Sequence, residues 1–357
     1  MMPAGAAAVP AVDADRLRIA EASGKLAVSL MGSDMRPSKI ITEKSVENAL
    51  RVLLAIGGST NAIIHLTAIA GRLGIKIDLK RLNELSDTTP VLVDLKPSGV
   101  GYMEDLAASG GIPAVMRELK ALLHLDCVTI TGETIGERLE AWDPWVDRNV
   151  VRSFAEPLQA VGGLVALFGN IAPGGAILKR AAADSALFEK EARCVVFESL
   201  EDLSARIDTP ELDVTADDIL VLKNAGPKSE ACMPEAGYLP IPKKLASAGV
   251  KDMMRLSDAR MSGTAFGSVI LHVSPDSASG GPLALVENGD RIRVSVSNRS
   301  VELLVDEKTL AARRAKLPPA PPQATRGHSW LHDQFMTQAE EGCDFSFLKK
   351  EGVTSSP

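Results

Sequence analysis

Hydrophobic positions change their period about halfway along the chain. In the first part they recur at helical spacing. Residues 13–31 carry Leu17, Ile19, Ala20 and Ala22, and they read as mostly helical. Thr42 stands where a helix cap is expected, with Ser45 and Val46 just inside. The stripe Ala49, Leu50, Leu53, Leu54 then forms one face. Gly57-Gly58-Ser59-Thr60-Asn61 follows and leads into the apolar helix AIIHLTAIAGRLG, which Gly71 and Gly74 break. Residues 75–78 are expected to be extended, and a polar helix is expected over about 79–85. The proline-bounded apolar run 90–95 predicts a buried strand. Helices are expected from near Met103 and from Pro113 through Leu123.

After about Trp145 the pattern becomes short β-rich runs at 163–168, 176–178, 194–197, 219–222, 268–273, 291–296 and 300–304. Turns such as Gly169-Asn170 and Glu287-Asn288-Gly289-Asp290 separate them. Helices interrupt this region at 198–207 and 242–248. The fold class expected is α/β: an incomplete three-layer α/β domain over 1–150, then a β-barrel-like domain over 151–318. The boundary falls near 145–157. An extension over 319–357 opens on a proline-rich connector.

Composition narrows the function. With 45% hydrophobic and 24% charged residues, the chain has an ordinary globular balance. A formal charge of −7 argues against a general nucleic-acid binder, yet a few local cations could still hold an anionic small molecule. No apolar run reaches the roughly 18 residues needed to span a bilayer. The opening MMPAGAAAVPAV has no basic segment of the kind that begins a signal peptide, and it reads as the interior of a longer domain. Cys127, Cys194, Cys232 and Cys343 are far apart and include no CxxC pair. A reducing cytoplasm is the expected location.

Candidate chemistry sits in short polar loops. The Gly57–Asn61 stretch is either an anion cradle at a helix start or a plain cap with glycines for a tight turn. Lys96-Pro97-Ser98-Gly99 and Asn224-Ala225-Gly226-Pro227-Lys228 are either anion-receiving loops or turns with a solvated lysine. Glu235 follows Cys232-Met233-Pro234 and becomes a candidate Mg²⁺ ligand if other oxygens converge on it. Asp258-Ala259-Arg260-Met261-Ser262-Gly263-Thr264-Ala265-Phe266-Gly267 combines an acid, a cation, two hydroxyls and two glycines ahead of an apolar strand. Its plain reading is a capped turn. Its functional reading has Ser262 as a base whose proton a nearby metal makes labile. The five histidines show no metal-binding spacing. Neither a GxGxxG nor a GxxxxGK[ST] pattern is present, which disfavours nucleotide binding.

In this order, the blocks PAVDADRLRIAEASG, ENALRVLLAIGGSTNAIIHLTAIAGRLG, DTTPVLVDLKPSG, MEDLAASGGIPAVMREL, TGETIGE, GNIAPGGAILK, LKNAGPK, MPEAGYLPIPK, DARMSGTAFG and GGPLALVENGD resemble the dihydroxy-acid dehydratase / phosphogluconate dehydratase family. DARMSGTAFG and QAEEGCDFSFL look most like its pentonate (L-arabinonate or D-xylonate) branch. The resemblance implies a hydro-lyase that removes water from a 2,3-dihydroxy (aldonic) acid to give a 2-oxo-3-deoxy acid. It implies Ser262 as the alkoxide that takes the C2 proton and Thr264 as the group that orients or protonates the leaving hydroxyl. Glu235 would be a Mg²⁺ ligand, and Ser59, Thr60 and Asn61 would lie near substrate. The family also carries a 2Fe-2S cluster, whose cysteine ligands lie upstream of the first matching block. None of the four cysteines here matches them, so the chain is expected to be a C-terminal part of such an enzyme. It would be a homo-oligomer if complete, without nucleic-acid or membrane partners. The loop KSEACMPE departs from the family's proline–glycine pattern before the glutamate, and the histidine that often ends pentonate enzymes is absent. The competing expectation is a catalytically inactive remnant serving as a structural or oligomerisation module.

Overall fold

The computed structural model describes residues 2, 5–6, 9–141, 145–234, 239–261, 266–319 and 323–350. Eight helices come first: α1 (Ala14–Ser29), α2 (Pro37–Ile40), α3 (Glu43–Ala55), α4 (Asn61–Gly71), α5 (Leu79–Thr88), α6 (Met103–Ala108), α7 (Gly111–Glu118) and α8 (Ile135–Ala141). Eight strands follow, interrupted by two helices: β1 (Val165–Leu167), β2 (Gly175–Leu178), β3 (Glu189–Phe197), α9 (Leu200–Arg206), β4 (Ile219–Leu222), α10 (Lys243–Ser247), β5 (Arg255–Ser257), β6 (Val269–Ser274), β7 (Arg291–Ser295) and β8 (Ser300–Leu303). Helices α11 (Glu307–Arg314) and α12 (Gly327–Phe335) lead into the tail.

The expected cap at Thr42 is present. Its Oγ1 accepts from the Ser45 N–H at 3.2 Å, and the Ser45 hydroxyl accepts from the Thr42 N–H at 2.8 Å. Helix α3 then buries Val46, Leu50, Leu53 and Leu54, at helical spacing on one face. Helix α1 buries none of its residues, and Leu17 and Val28 stay exposed. The strand expected over 90–95 is an extended segment instead. Val91 and Val93 make isolated bridges to Gln159 and Val151, and the Leu92 N–H bonds the Ala55 carbonyl. Its apolar side chains are buried as the pattern demanded, but each backbone group finds a different partner, so no ladder forms among the described residues.

The eight strands make one mixed sheet in the order β1-β2-β6-β5-β4-β3-β7-β8. Phe168, just past β1, bridges Ser300 of β8, which curls the sheet toward a closed barrel. Strands β3, β4, β5 and β6 are mutually parallel and the other pairings antiparallel. The barrel interior is packed with apolar side chains, among them Val165, Leu178, Val196, Val221, Leu256 and Ile270. Alternation along the strands sends Leu164, Ala166 and Ile177 outward, where they pack on α3, α4 and α5. Beside β1, Asn83 of α5 exchanges two hydrogen bonds with the Ala166 backbone, at 2.9 and 2.8 Å. The Ser86 hydroxyl donates to the Leu164 carbonyl at 2.7 Å. A helix thereby supplies β1 with the partners that a further strand would otherwise give. Val195, Phe197, Leu220 and Leu222 face outward on the other side, against Leu203 of α9 and neighbouring loops.

Candidate functional site

Ligands of parallel sheets usually sit in loops that leave the carboxyl ends of the strands. Two of the polar blocks do so here. The Asn224–Met233 loop follows β4, and Asp258–Met261 follows its neighbour β5. Asp258 is fully buried and ties them together. One carboxylate oxygen accepts from the Ala225 N–H at 3.0 Å and the other from the Ser277 N–H at 2.8 Å. Burial pushes its carboxyl up to about 6 in spite of these bonds. Asp276 accepts from the Lys228 N–H at 2.7 Å, and its side chain approaches so closely that a Cβ on Gly226 would lie 2.5 Å from it. Asn224, Cys232 and Met233 are all non-glycine residues in the left-handed region, so this loop is held under strain by its surroundings.

Two arginines fix the segments that lead onward. Arg260 donates from Nε to the Met233 carbonyl at 2.9 Å. Arg255, on the outer face of β5 and 3% exposed, donates to the Leu239 carbonyl at 3.0 Å and to the Phe266 carbonyl at 3.0 Å. It also pairs with buried Asp252 at 3.1 Å. Met233 and Leu239 flank the stretch with Glu235, while Met261 and Phe266 flank the stretch with Ser262 and Thr264. Glu235, Ser262 and Thr264 themselves lie outside the described residues. Their flanks are brought together at both ends.

The Gly57–Asn61 block reaches the same region. Helix α4 starts at Asn61, as the sequence suggested. The Ser59 hydroxyl accepts the Asn61 N–H at 3.2 Å, while Thr60 makes no side-chain cap. Thr60 and Asn61 are buried and Ser59 is half-buried. One turn on, Ile64 packs against Met233 together with Ala339 and Cys343. The outer face of β6 lies below. There Val269 and Leu271 pack with Met261, the residue just before Ser262.

Three residues in this region carried no functional signal in the sequence. Arg255 looks like a lone charge in a short run. His272 is at φ 60°, beside a register shift in the β2–β6 pairing, and a bulge of this kind re-aims a side chain. Its Nε2 is buried and has no hydrogen-bond partner among the described residues. Burial, then the charges of Arg260 and His65, push its imidazole down to about 3. Lys179 ends β2 on the same outer face and is 9% exposed; burial lowers its ammonium's pKa.

The residues described do not assemble an iron–sulfur or other metal donor set. Cys194 is inside the barrel, Cys127 is buried among other residues, Cys232 is exposed, and Cys343 lies 3.4 Å from the Met233 sulfur. Burial raises all four thiols, Cys194 and Cys343 to about 12, which disfavours the thiolates a cluster needs. Among the described residues no three His, Cys, Asp or Glu side chains stand together as metal ligands. No helix among them is long and apolar enough to cross a membrane.

Comparison with known proteins identifies the family. Residues 1–138 match the family model "Dihydroxy-acid/6-phosphogluconate dehydratase N-terminal", and residues 149–343 match its C-terminal counterpart. The likeness thus extends into both parts and is not confined to a C-terminal part. An L-arabinonate dehydratase of Rhizobium leguminosarum bv. trifolii (strain WSM2304) is 43% identical over 351 residues, covering 98% of this chain and 60% of that protein. A 6-deoxy-6-sulfo-D-gluconate dehydratase of Pseudomonas putida is 44% identical over 356 residues, covering 99% and 61%. A dihydroxy-acid dehydratase of Syntrophobacter fumaroxidans (strain DSM 10017 / MPOB) is 39% identical over 342 residues, covering 95% and 60%. The chain spans about three-fifths of the length of these curated relatives. With both family models matched over most of its length, the chain belongs to the dihydroxy-acid/6-phosphogluconate dehydratase family.

Proposed function

We propose that the chain supplies the barrel side of a hydro-lyase site for a small 2,3-dihydroxy acid of the aldonic type. In this reading Ser262, as alkoxide, takes the C2 proton. The C2–H electron pair forms the C2–C3 double bond as the C3 hydroxyl leaves, and Thr264 orients or protonates that hydroxyl so that it departs as water. The resulting enol gains a proton at C3 and becomes the 2-oxo-3-deoxy acid. Ser59, Thr60 and Asn61 line the substrate side, and Glu235 is the proposed Mg²⁺ ligand. No step is derived through a metal centre, because the residues described do not gather one.

One observation carries the reading. The Arg255 guanidinium holds the carbonyls of Leu239 and Phe266 together, so the glutamate segment and the serine segment end at one point. Their beginnings are joined through Arg260 and Met233. A base and a cation-binding carboxylate act on one small acid only if their segments run side by side, and this stapling favours that. The purified chain, reconstituted anaerobically with Fe, sulfide and Mg²⁺, is to be assayed on L-arabinonate and D-xylonate. The expected result is 2-oxo acid formation that Ser262→Ala abolishes. Failure to bind or convert either acid would count against the reading, as would equal turnover by Ser262→Ala.

A further inference from the structure

Lys179 is a residue of this region whose charge is left unanswered among the described residues. It follows the last residue of β2, where Leu178 pairs with Ile270 of β6. One step on, Lys179 stands opposite Val269. Alternation sends Leu178 into the barrel, so Lys179 shares the outer face with Ile177 and Val269. Val269 packs with Met261, at the entry to the Ser262 segment. On the other side, Ala181 lies close beneath the glycine turn before α4: a Cβ on Gly57 would meet the Ala181 Cβ at 3.3 Å. Lys179 is therefore set between the Gly57–Asn61 block and the Asp258–Met261 segment.

A buried lysine is normally paired. Arg180 next to it donates to the Gly162 carbonyl and the Ser86 hydroxyl, and Lys223 pairs with Glu198. Among the described residues Lys179 has no hydrogen bond, ion pair or nearby carboxylate, and burial alone acts on its charge there. An unpaired buried ammonium is costly, and a neutral ligand would not relieve that cost. A carboxylate would.

We propose that Lys179 binds the carboxylate of the small hydroxy acid, as a substrate-binding residue beyond those the family motifs assign. This rests on the dehydratase reading for the identity of the acid, but not for the presence of an anion site. The test is calorimetric and thermal binding of L-arabinonate, of uncharged L-arabinitol and of inorganic sulfate to the wild-type chain and to Lys179→Met. Methionine keeps the length and apolar stem and removes the charge. L-Arabinonate should bind about 10- to 100-fold more weakly to Lys179→Met, the range for one charge-assisted hydrogen bond, while any arabinitol binding is unchanged. Without ligand, Lys179→Met should melt at or above the wild-type temperature, because the change removes an uncompensated charge. In the wild type, L-arabinonate should also protect Lys179 from limiting amine acetylation, a readout that needs no variant.

Equal arabinonate affinity in both proteins would overturn the role of Lys179 and leave the dehydratase reading standing. A sulfate shift lost in Lys179→Met, with no response to L-arabinonate, would keep the anion site and remove the dehydratase reading. Absence of any anion effect on the wild type would overturn the inference outright.

Discussion

His272 gives the sharpest quantitative test of this region. Its imidazole is fully enclosed, Nε2 has no partner among the described residues, and the fixed charge of Arg260 lies near it. These effects hold the folded-state value at about 3, against 6.5 for a free histidine. The sign follows from proton binding. Below pH 6.5 the unfolded chain takes up a proton that the folded chain refuses down to about pH 3. The stabilising contribution is therefore whole above pH 6.5 and is lost progressively as pH falls toward 3. Each pH unit in that window costs about 1.4 kcal/mol. The group is fully buried, so no discount for solvent screening applies. His272→Asn removes the titration while keeping a residue that tolerates a left-handed backbone. Urea unfolding of both proteins at pH 7.5, 6.0 and 5.0 yields the difference in stability at each pH. From pH 7.5 to 5.0 the wild type should lose about 2 kcal/mol relative to the variant. Any pH-independent packing cost of asparagine cancels in that slope. A difference that stays flat across the series would refute the burial argument for His272.

Other changes test the framework around the two segments. Arg255→Gln leaves Asp252 without its ion pair and frees the carbonyls of Leu239 and Phe266; a loss of about 3–5 kcal/mol is expected by urea unfolding. A loss below about 1 kcal/mol would show that the guanidinium does not hold the segments. Gly226→Ala should destabilise by about 1–3 kcal/mol, because the new methyl collides with Asp276 and the backbone beneath it is pinned. Gly24→Ala, in α1 with open space around its added methyl, should instead stabilise by about 0.5–1 kcal/mol in the same assay. If the two glycines respond alike, close approach is not what fixes Gly226.

How far the sequence announced these features depends on what each residue answers to. Runs such as 219–222 became strands because all four side chains are buried and aliphatic. Strand β5 escaped notice because two of its three residues, Arg255 and Ser257, are polar. Their burial depends on partners elsewhere, the carbonyls of Leu239 and Phe266 for one and the Ala259 N–H for the other. The run at 90–95 failed in the opposite way. Its pattern specified burial correctly, but it could not say that the backbone partners would be Ala55, Val150 and Gln159 in place of a neighbouring strand. The site divides along the same line. Loops with unusual composition stood out, and the start of α4 fell where the glycines put it. Lys179 and His272 were unremarkable as letters, because what distinguishes them is that the ammonium and the Nε2 find no partner among the described residues.

The placement of this region follows from the barrel itself. The interior is packed with apolar, mostly aliphatic side chains from every strand. The β3–β4 outer face is covered by its own apolar layer with α9, and the β1 side by α3, α4 and α5. The face left for polar chemistry is that of β2, β6 and β5, crossed by the segments that follow β4 and β5. On and around it the chain places Lys179, Arg255, Arg260 and His272. Among the described residues, only Arg255 has a buried carboxylate, Asp252, as its paired charge. A protein with a formal charge of −7 had many acids with which to neutralise such a face. Leaving a charge such as that of Lys179 there in low dielectric costs stability in the free protein, and an entering anion would offset that cost. The same arrangement disfavours a neutral polyol of equal size. On the proposed reading, selection for the acid over the alcohol would lie in the charge of the barrel wall, before any reacting side chain is considered.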